Sequence, residues 1–202
     1  MSRPLRVLTL VAAAIAAAAC TTDAPITPDD ASLSAGHAAA HSKAGSTPAN
    51  LNQQLAALRS ATARFHDIEV ARKADYTILF DPDGEGPGSA CLTHPTDGAM
   101  GEHYVNLDLL FDGGAVDVTR PEALIYEPMS NGKYRLVAVE YVVPFSDRPS
   151  DGPAPELLGQ KFMPNHNPGF QLWALHAWVW ENNPSGMFEP WNPKVSCKYS
   201  RN

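Results

Sequence analysis

The sequence predicts an α+β domain: one N-terminal helix packed on a curved antiparallel β-sheet or small β-barrel. Three observations predict it. Leu51, Leu55, Leu58, Phe65 and Ile68 fall on one stripe of a 3.6-residue period, while Arg59, Arg64, Asp67 and Arg72 fall elsewhere, which is an amphipathic helix. Downstream, "YTILF", "HYVNLDLLF", "EALIYEP", "YRLVAVEYVVPF" and "FQLWALHAWVW" read as strands rich in β-branched and aromatic residues. The turn residues "DGG" and "SNG" separate the early strands, and "MSNGKY" is a strong hairpin sequence.

Upstream of the helix the chain opens with "MSRPLRVLTLVAAAIAAAAC". Arg3 and Arg6 form a positive start, Val7 to Ala19 an apolar run, and small residues precede Cys20. The run is shorter than the ~20 residues that span a bilayer, so residues 1–19 read as a signal peptide. Its end resembles a lipoprotein signal, in which small residues lead to an acylated cysteine. Ala17 stands where a larger aliphatic residue is usual. Cys20 is therefore the expected lipidation site and the expected contact with the membrane. The destination is the cell envelope, the outer membrane in a Gram-negative host because Thr21 is not the retaining Asp. Ordinary signal peptidase cleavage, giving a secreted protein, is the alternative.

Residues 20–49 are Ala, Ser, Thr, Pro and Asp with few large apolar side chains, a composition that cannot offset the entropy of ordering and reads as a disordered tether. His37 and His41 lie in it, as solvated residues. Residues 50–202 form the single folded domain, a common size with room for a core. Asn50, with Gln53 three residues on, is the expected helix N-cap and capping box. "DPDGEGPGSA" reads as a loop, its Asp81, Asp83 and Glu85 as an acidic turn; the twelfth position of a calcium loop would be Leu92, which cannot ligate. The stretch after Phe145, "SDRPSDGPAPELLGQKFMPNHNPG", is a long connection of the kind that is functional or mobile.

Removing residues 1–19 takes away two arginines and no acid, so the formal charge moves from −7 to −9. An acidic chain without a Lys/Arg cluster lacks the surface that binds phosphate backbones, which sets nucleic acid aside. Cys91 and Cys197 remain after Cys20, and in an exported chain an isolated pair reads as a disulfide. Chain entropy assigns a loop of that length about 4–5 kcal/mol. No G-x-S-x-G elbow, Walker loop or dinucleotide fingerprint is present.

Candidate chemistry emerges at period two, because alternate residues of a strand share a face. His103 shares its face with Val105 and Leu107, Glu127 with Ala123 and Ile125, Glu140 with Leu136 and Ala138, and His176 with Leu172, Ala174 and Trp178. Buried ionisable side chains need a partner or a cation. If the four faces converge, His103, Glu127, Glu140 and His176 form a set that suits zinc, manganese, iron or copper, with Trp173, Trp178 and Trp180 as an apolar wall. His94 and Met100 could add soft ligands but read as loop residues, as does His166. Two metal-free alternatives stand beside this one. The buried ionisables can form a structural hydrogen-bond network such as a Glu140–His176 pair. The domain can also be a binding module in which Trp173, Trp178, Trp180 and Trp191 build a core or an aromatic pocket for a small ligand.

The segments "GAMGEHYVN", "PEALIYEP", "LVAVEYVVP" and "LHAWVWENNPSGMFEPWNP", with the patterns MGxHY and LHxWxWxxNPxG, resemble a family of uncharacterised exported bacterial lipoproteins. The resemblance covers most of the chain after residue 60. It implies a shared fold and a shared site at His103 and His176, and it supplies no reaction, substrate or cofactor.

Overall fold

In the computed structural model, residues 48–80, 91–167 and 169–200 are described, without the side chains of residues 48 and 78–80. All of them belong to one unit of the chain, Lys43–Asn202. The signal peptide, Cys20, the tether with His37 and His41, and the acidic turn at Asp81, Asp83 and Glu85 lie outside the described residues.

Helix α1 (Pro48–Thr62) starts earlier than expected. Proline is well tolerated in a first turn, where its missing N–H would be unpaired anyway. Asn50 therefore lies inside the helix instead of capping it, and its Oδ1 accepts from Gln54 Nε2 at 2.7 Å. The expected continuous helix to Arg72 is also broken, into a 3₁₀ turn (Ala63–His66) and a short α2 (Ile68–Arg72). The break has visible causes. The Phe65 carbonyl is taken by the Tyr126 hydroxyl at 2.7 Å, and Asp67 turns extended and caps α2 through Glu69 N. The apolar stripe survives the break: Leu55, Leu58 and Phe65 are buried, with Leu51 and Ile68 packed beside them.

The strands are β1 (Ile78–Phe80), β2 (Cys91–His94), β3 (Gly98–Val105), β4 (Ala123–Pro128), β5 (Tyr134–Pro144), β6 (Glu156–Leu157), β7 (Gln160–Lys161), β8 (Met163–Asn165) and β9 (Leu172–Ala177). All but β6 and β7 belong to a strongly curled antiparallel half-barrel in the order β1-β3-β4-β5-β9-β8, with β2 also paired to β3, against which the helix packs. β1 and β2 occupy successive lengths of one edge of β3. After Val105 the chain leaves the sheet, because Asn106 Oδ1 accepts from the backbone N–H groups of Asp108 and Leu109 and opens α3 (Leu107–Leu110). The strand expected over "HYVNLDLLF" thus begins and ends earlier, and Leu107 is exposed instead of sharing the face of His103. "MSNGKY" makes the expected β4–β5 turn, with Gly132 at φ 75°.

The connection after Phe145 is not bare loop. It carries the β6–β7 hairpin, closed by Leu158 and Gly159 at positive φ, and the edge strand β8. Leu158 and Phe162 anchor it in the main core.

That core lies between the helix and one face of the sheet, where Tyr104, Leu124, Tyr126, Leu136, Val139, Tyr141, Val143, Trp173 and Leu175 meet Leu55, Leu58 and Phe65. β5 is buried from Leu136 onward on both faces. A bulge between β4 and β5 sets which residue faces where: Ile125 pairs with Ala138, but Tyr126 pairs with Leu136. The extra residue, Val137, moves Leu136 to the helix face, while Ala138, Glu140 and Val142 keep the other.

Over that second face folds the C-terminal tail. Ala99 and Asn192 exchange both backbone hydrogen bonds at 3.1 Å, and the Cys91–Cys197 disulfide fixes the tail to β2. Cys91 stands at the start of that strand. The tail lies so close that a Cβ on Gly98, at φ 100°, would meet the Asn192 carbonyl oxygen at 2.2 Å, so only glycine fits there.

Candidate metal centre

β5 and β9 pair in a register that sets Glu140 directly opposite His176. His103 comes from β3, two strands from β5, a separation of roughly 10 Å between backbones. The bridging strand contributes Ala123, the register partner of both Val105 and Glu140. His103 itself pairs with Ile125, and the long side chains of His103 and Glu140 meet across β4.

The result is a compact trio. His103 Nε2 lies 3.5 Å from Glu140 Oε2, and His176 Nε2 lies 3.5 Å from Glu140 Oε1. One ligand atom from each residue lies within 4.8 Å of both others, and the imidazoles meet edge to face with ring centroids 5.9 Å apart. All three residues are buried, to 1 %, 9 % and 3 % exposure for His103, Glu140 and His176.

Burial decides their charge. Loss of water pushes the Glu140 carboxyl up to about 8 and His103 down to about 4, the latter opposed in part by the Gly101 backbone carbonyl. Burial, and then the neighbouring His103, push His176 down to about 3. Both imidazoles are neutral at physiological pH and so present a lone pair. His176 has neither nitrogen hydrogen-bonded, and His103 Nδ1 has no bond of ordinary geometry.

The trio faces a cavity of about 360 Å³. Its wall is mainly apolar, with Leu110, Val142, Leu172 and Ala174 from the sheet side, Phe170 and Met163 from the connection, and Pro190 and Trp191 from the tail.

Of the four candidate ligands, three come together and Glu127 does not. The β4–β5 bulge brings Arg135 opposite Glu127, whose Oε2 takes the guanidinium and whose Oε1 accepts from Ser196 N at 3.1 Å. Glu127 is spent on holding the tail. The tryptophan wall is also reduced to one ring: Trp178 stacks near His176, with centroids 6.3 Å apart. Trp173 and Trp180 face the helix side, where their indole N–H groups donate to Arg148 O and Thr62 Oγ1. Of the four tryptophans only Trp191 lines the cavity. Met100 and His166 line it too, whereas His94 pairs with Asp97 and packs on Trp191.

Period-two reading missed Glu122, buried at the start of β4. Its Oε2 accepts from Val142 N at 2.9 Å, and burial pushes it up to about 8 despite that bond. It opens the expected strand "EALIYEP" but stands just before β4 itself, on the parity of Leu124 and Tyr126 and not on that of Glu127.

Comparison with protein-family models, with curated proteins and with solved structures finds no match. The assignment of the site rests on its geometry.

These shifts predict the pH profile of the metal-free chain. The raised carboxyls of Glu140 and Glu122 contribute stability that is full below their ordinary value of 4.5 and lost as pH rises through about 8. The depressed imidazoles act oppositely, since below 6.5 the unfolded chain takes up protons that the folded chain refuses until about 4 and 3. Two gains and two losses cancel between about pH 4.5 and 6.5. Urea unfolding at fixed ionic strength should show a level stability there and a decline from about 6.5 to 8. A rise over that upper interval would contradict the burial of the two carboxyls.

Proposed function

We propose that this is an exported, lipid-anchored domain that binds one divalent transition metal through His103, Glu140 and His176, at the inner end of a cavity that admits a small molecule. One observation carries the reading. The two His–Glu separations of 3.5 Å are too long for ordinary hydrogen bonds of 2.7–3.2 Å. Each is close to the ~3.4 Å between two ligands that share a tetrahedral cation at about 2.1 Å; one runs to Oε2 and the other to Oε1 of Glu140, and with a single ligand atom from each residue the three lie within 4.8 Å of one another. A cation would satisfy the lone pair of His176 Nε2, for which the folded chain offers no partner.

Two neutral imidazoles and one carboxylate suit zinc, iron, manganese or copper, and three protein ligands leave a position open toward the cavity. A metal so held supplies a Lewis acid, or an activated water, to whatever enters. Glu140 must give up its proton to ligate, so binding releases a proton into solution.

The compartment follows from other features. The N-terminal sequence reads as a lipoprotein signal, and the Cys91–Cys197 disulfide suits an oxidising environment. No helix among the described residues is long and apolar enough to cross a membrane, so attachment would fall to acylated Cys20. The expected kinship with exported lipoproteins belongs with this proposal.

A second, metal-free reading has its own support. Ligating histidines almost always donate their other N–H to an acceptor, and neither Nδ1 here has such a bond of ordinary geometry, although the Gly101 backbone carbonyl acts on His103. In that reading the protonated Glu140 bridges two neutral imidazoles, and the trio is a polar floor for a ligand pocket.

Two experiments test the proposal. Purified chain equilibrated with zinc, manganese, iron(II) or copper and then desalted should retain one equivalent of one of them. Free metal at 100 times its Kd should stabilise the chain by about 2.7 kcal/mol. His103→Ala and His176→Ala should abolish retention and lose that increment, while Glu127→Gln retains metal. Loss of stability that is the same with and without metal in both histidine variants would instead establish the metal-free reading. In the native host, Cys20→Ser should release the protein from membranes into the soluble fraction; unchanged partition would place the anchor elsewhere.

A further inference from the structure

The cavity over the trio has a definite chemistry, and that chemistry narrows its occupant. Its volume of about 360 Å³ is at the small end for ligand sites and little more than twice the ~150 Å³ that admits a benzene ring. It takes one substituted ring with room to spare.

Polarity is concentrated at two places. The buried end holds His103, Glu140 and His176, and the exposed end holds Asn165 and His166. Between them run Leu110, Val142, Phe170, Leu172 and Ala174, with Trp191 from the tail offering an aromatic face. Among the described residues no lysine or arginine lines the cavity, and Glu140 supplies its one carboxyl group. A phosphate or sulfate would therefore enter without a cationic side chain to receive it, in a chain that is itself acidic.

The inner end asks for one particular group. His176 Nε2 is buried, unpartnered and 3.5 Å from Glu140 Oε1. A hydroxyl can donate to either of these atoms, and its oxygen lone pairs can instead meet a cation held by all three residues. A methyl group in that position does neither, and leaves the buried polar atoms unpaired.

We infer that the cavity is a binding site for a small uncharged aromatic alcohol or phenol, its hydroxyl set among His103, Glu140 and His176 and its ring against Val142, Leu172 and Trp191. The inference deepens the proposed function and rests on the metal reading only for the hydroxyl's role as a ligand to the cation.

The probe is p-cresol, titrated calorimetrically into metal-loaded and metal-free chain beside toluene and p-tolyl phosphate, which keep the ring but remove the hydroxyl or add charge. The expected result is one-to-one binding of p-cresol at least 10-fold tighter than either relative. Ala174→Phe and Val142→Phe, which reduce the cavity and keep all three members of the trio, should each weaken p-cresol at least 10-fold and leave metal retention unchanged. Methyl NMR of the unsubstituted chain gives a reading that needs no variant: p-cresol should move the Leu110, Val142, Leu172 and Ala174 methyls before any in the core beneath α1. Binding of p-tolyl phosphate as tight as p-cresol, shifts elsewhere in the molecule, or no p-cresol binding would overturn the inference. The two claims separate cleanly. Chain that retains no metal yet binds p-cresol in a way Ala174→Phe abolishes keeps the cavity inference and loses the metal; chain that retains metal and ignores p-cresol does the reverse.

Discussion

Strand β5 is buried on both faces through its middle, and Glu140 stands in that middle. A carboxyl there is largely withdrawn from water, which favours its staying protonated, pairing with a base or neutralising a cation. The rest of the second face is arranged around this requirement. Register with β9 sets His176 opposite, and β4 separates Glu140 from His103 with Ala123 and Ile125. The cavity wall around the trio is mainly apolar. Two basic side chains would have neutralised Glu140 more simply, but the chain supplies two imidazoles that burial keeps uncharged. Neutral imidazoles beside a carboxylate serve a cation better than they serve each other.

The tail and the disulfide extend the same logic. An open half-barrel leaves its second face bare, and the trio would then be solvated. The tail crosses that face through the Ala99–Asn192 pair, held by Cys197 at one end and by Glu127 through Ser196. Pro190 and Trp191 are thereby placed as part of the cavity wall. Glu127 and Arg135, remote from the ligands, act on the site by fixing its cover.

Much of this was legible in the residues. The helix stripe, the β4–β5 hairpin and the inward faces of His103, Glu140 and His176 all follow from periodicity, because each lies on a regular stretch. The failures share a cause: regularity ends where a local bond intervenes. Asn106 caps α3 and cuts β3 short, so Leu107 is lost from the face of His103. The bulge at Val137 shifts parity along β5, which sends Leu136 to the helix and brings Arg135 to Glu127. A period of two cannot anticipate a bulge, and a carboxylate placed by parity alone can be matched to the wrong partner. The helix broke for a similar reason, since a tertiary hydroxyl, that of Tyr126, took a carbonyl the helix needed. The tryptophans misled because "LHAWVW" leaves the strand at Ala177, so that Trp180 turns toward α1.

In the metal reading three side chains from three strands hold one cation, and X-ray absorption of the zinc-loaded chain observes that shell itself. The expected spectrum is a first shell of four light ligands at about 2.0–2.1 Å, with the outer-shell scattering of two imidazoles. His176→Ala, which should retain no zinc after desalting, should lose that spectrum. A six-oxygen shell without imidazole scattering, or one that His176→Ala leaves unchanged, would contradict that reading.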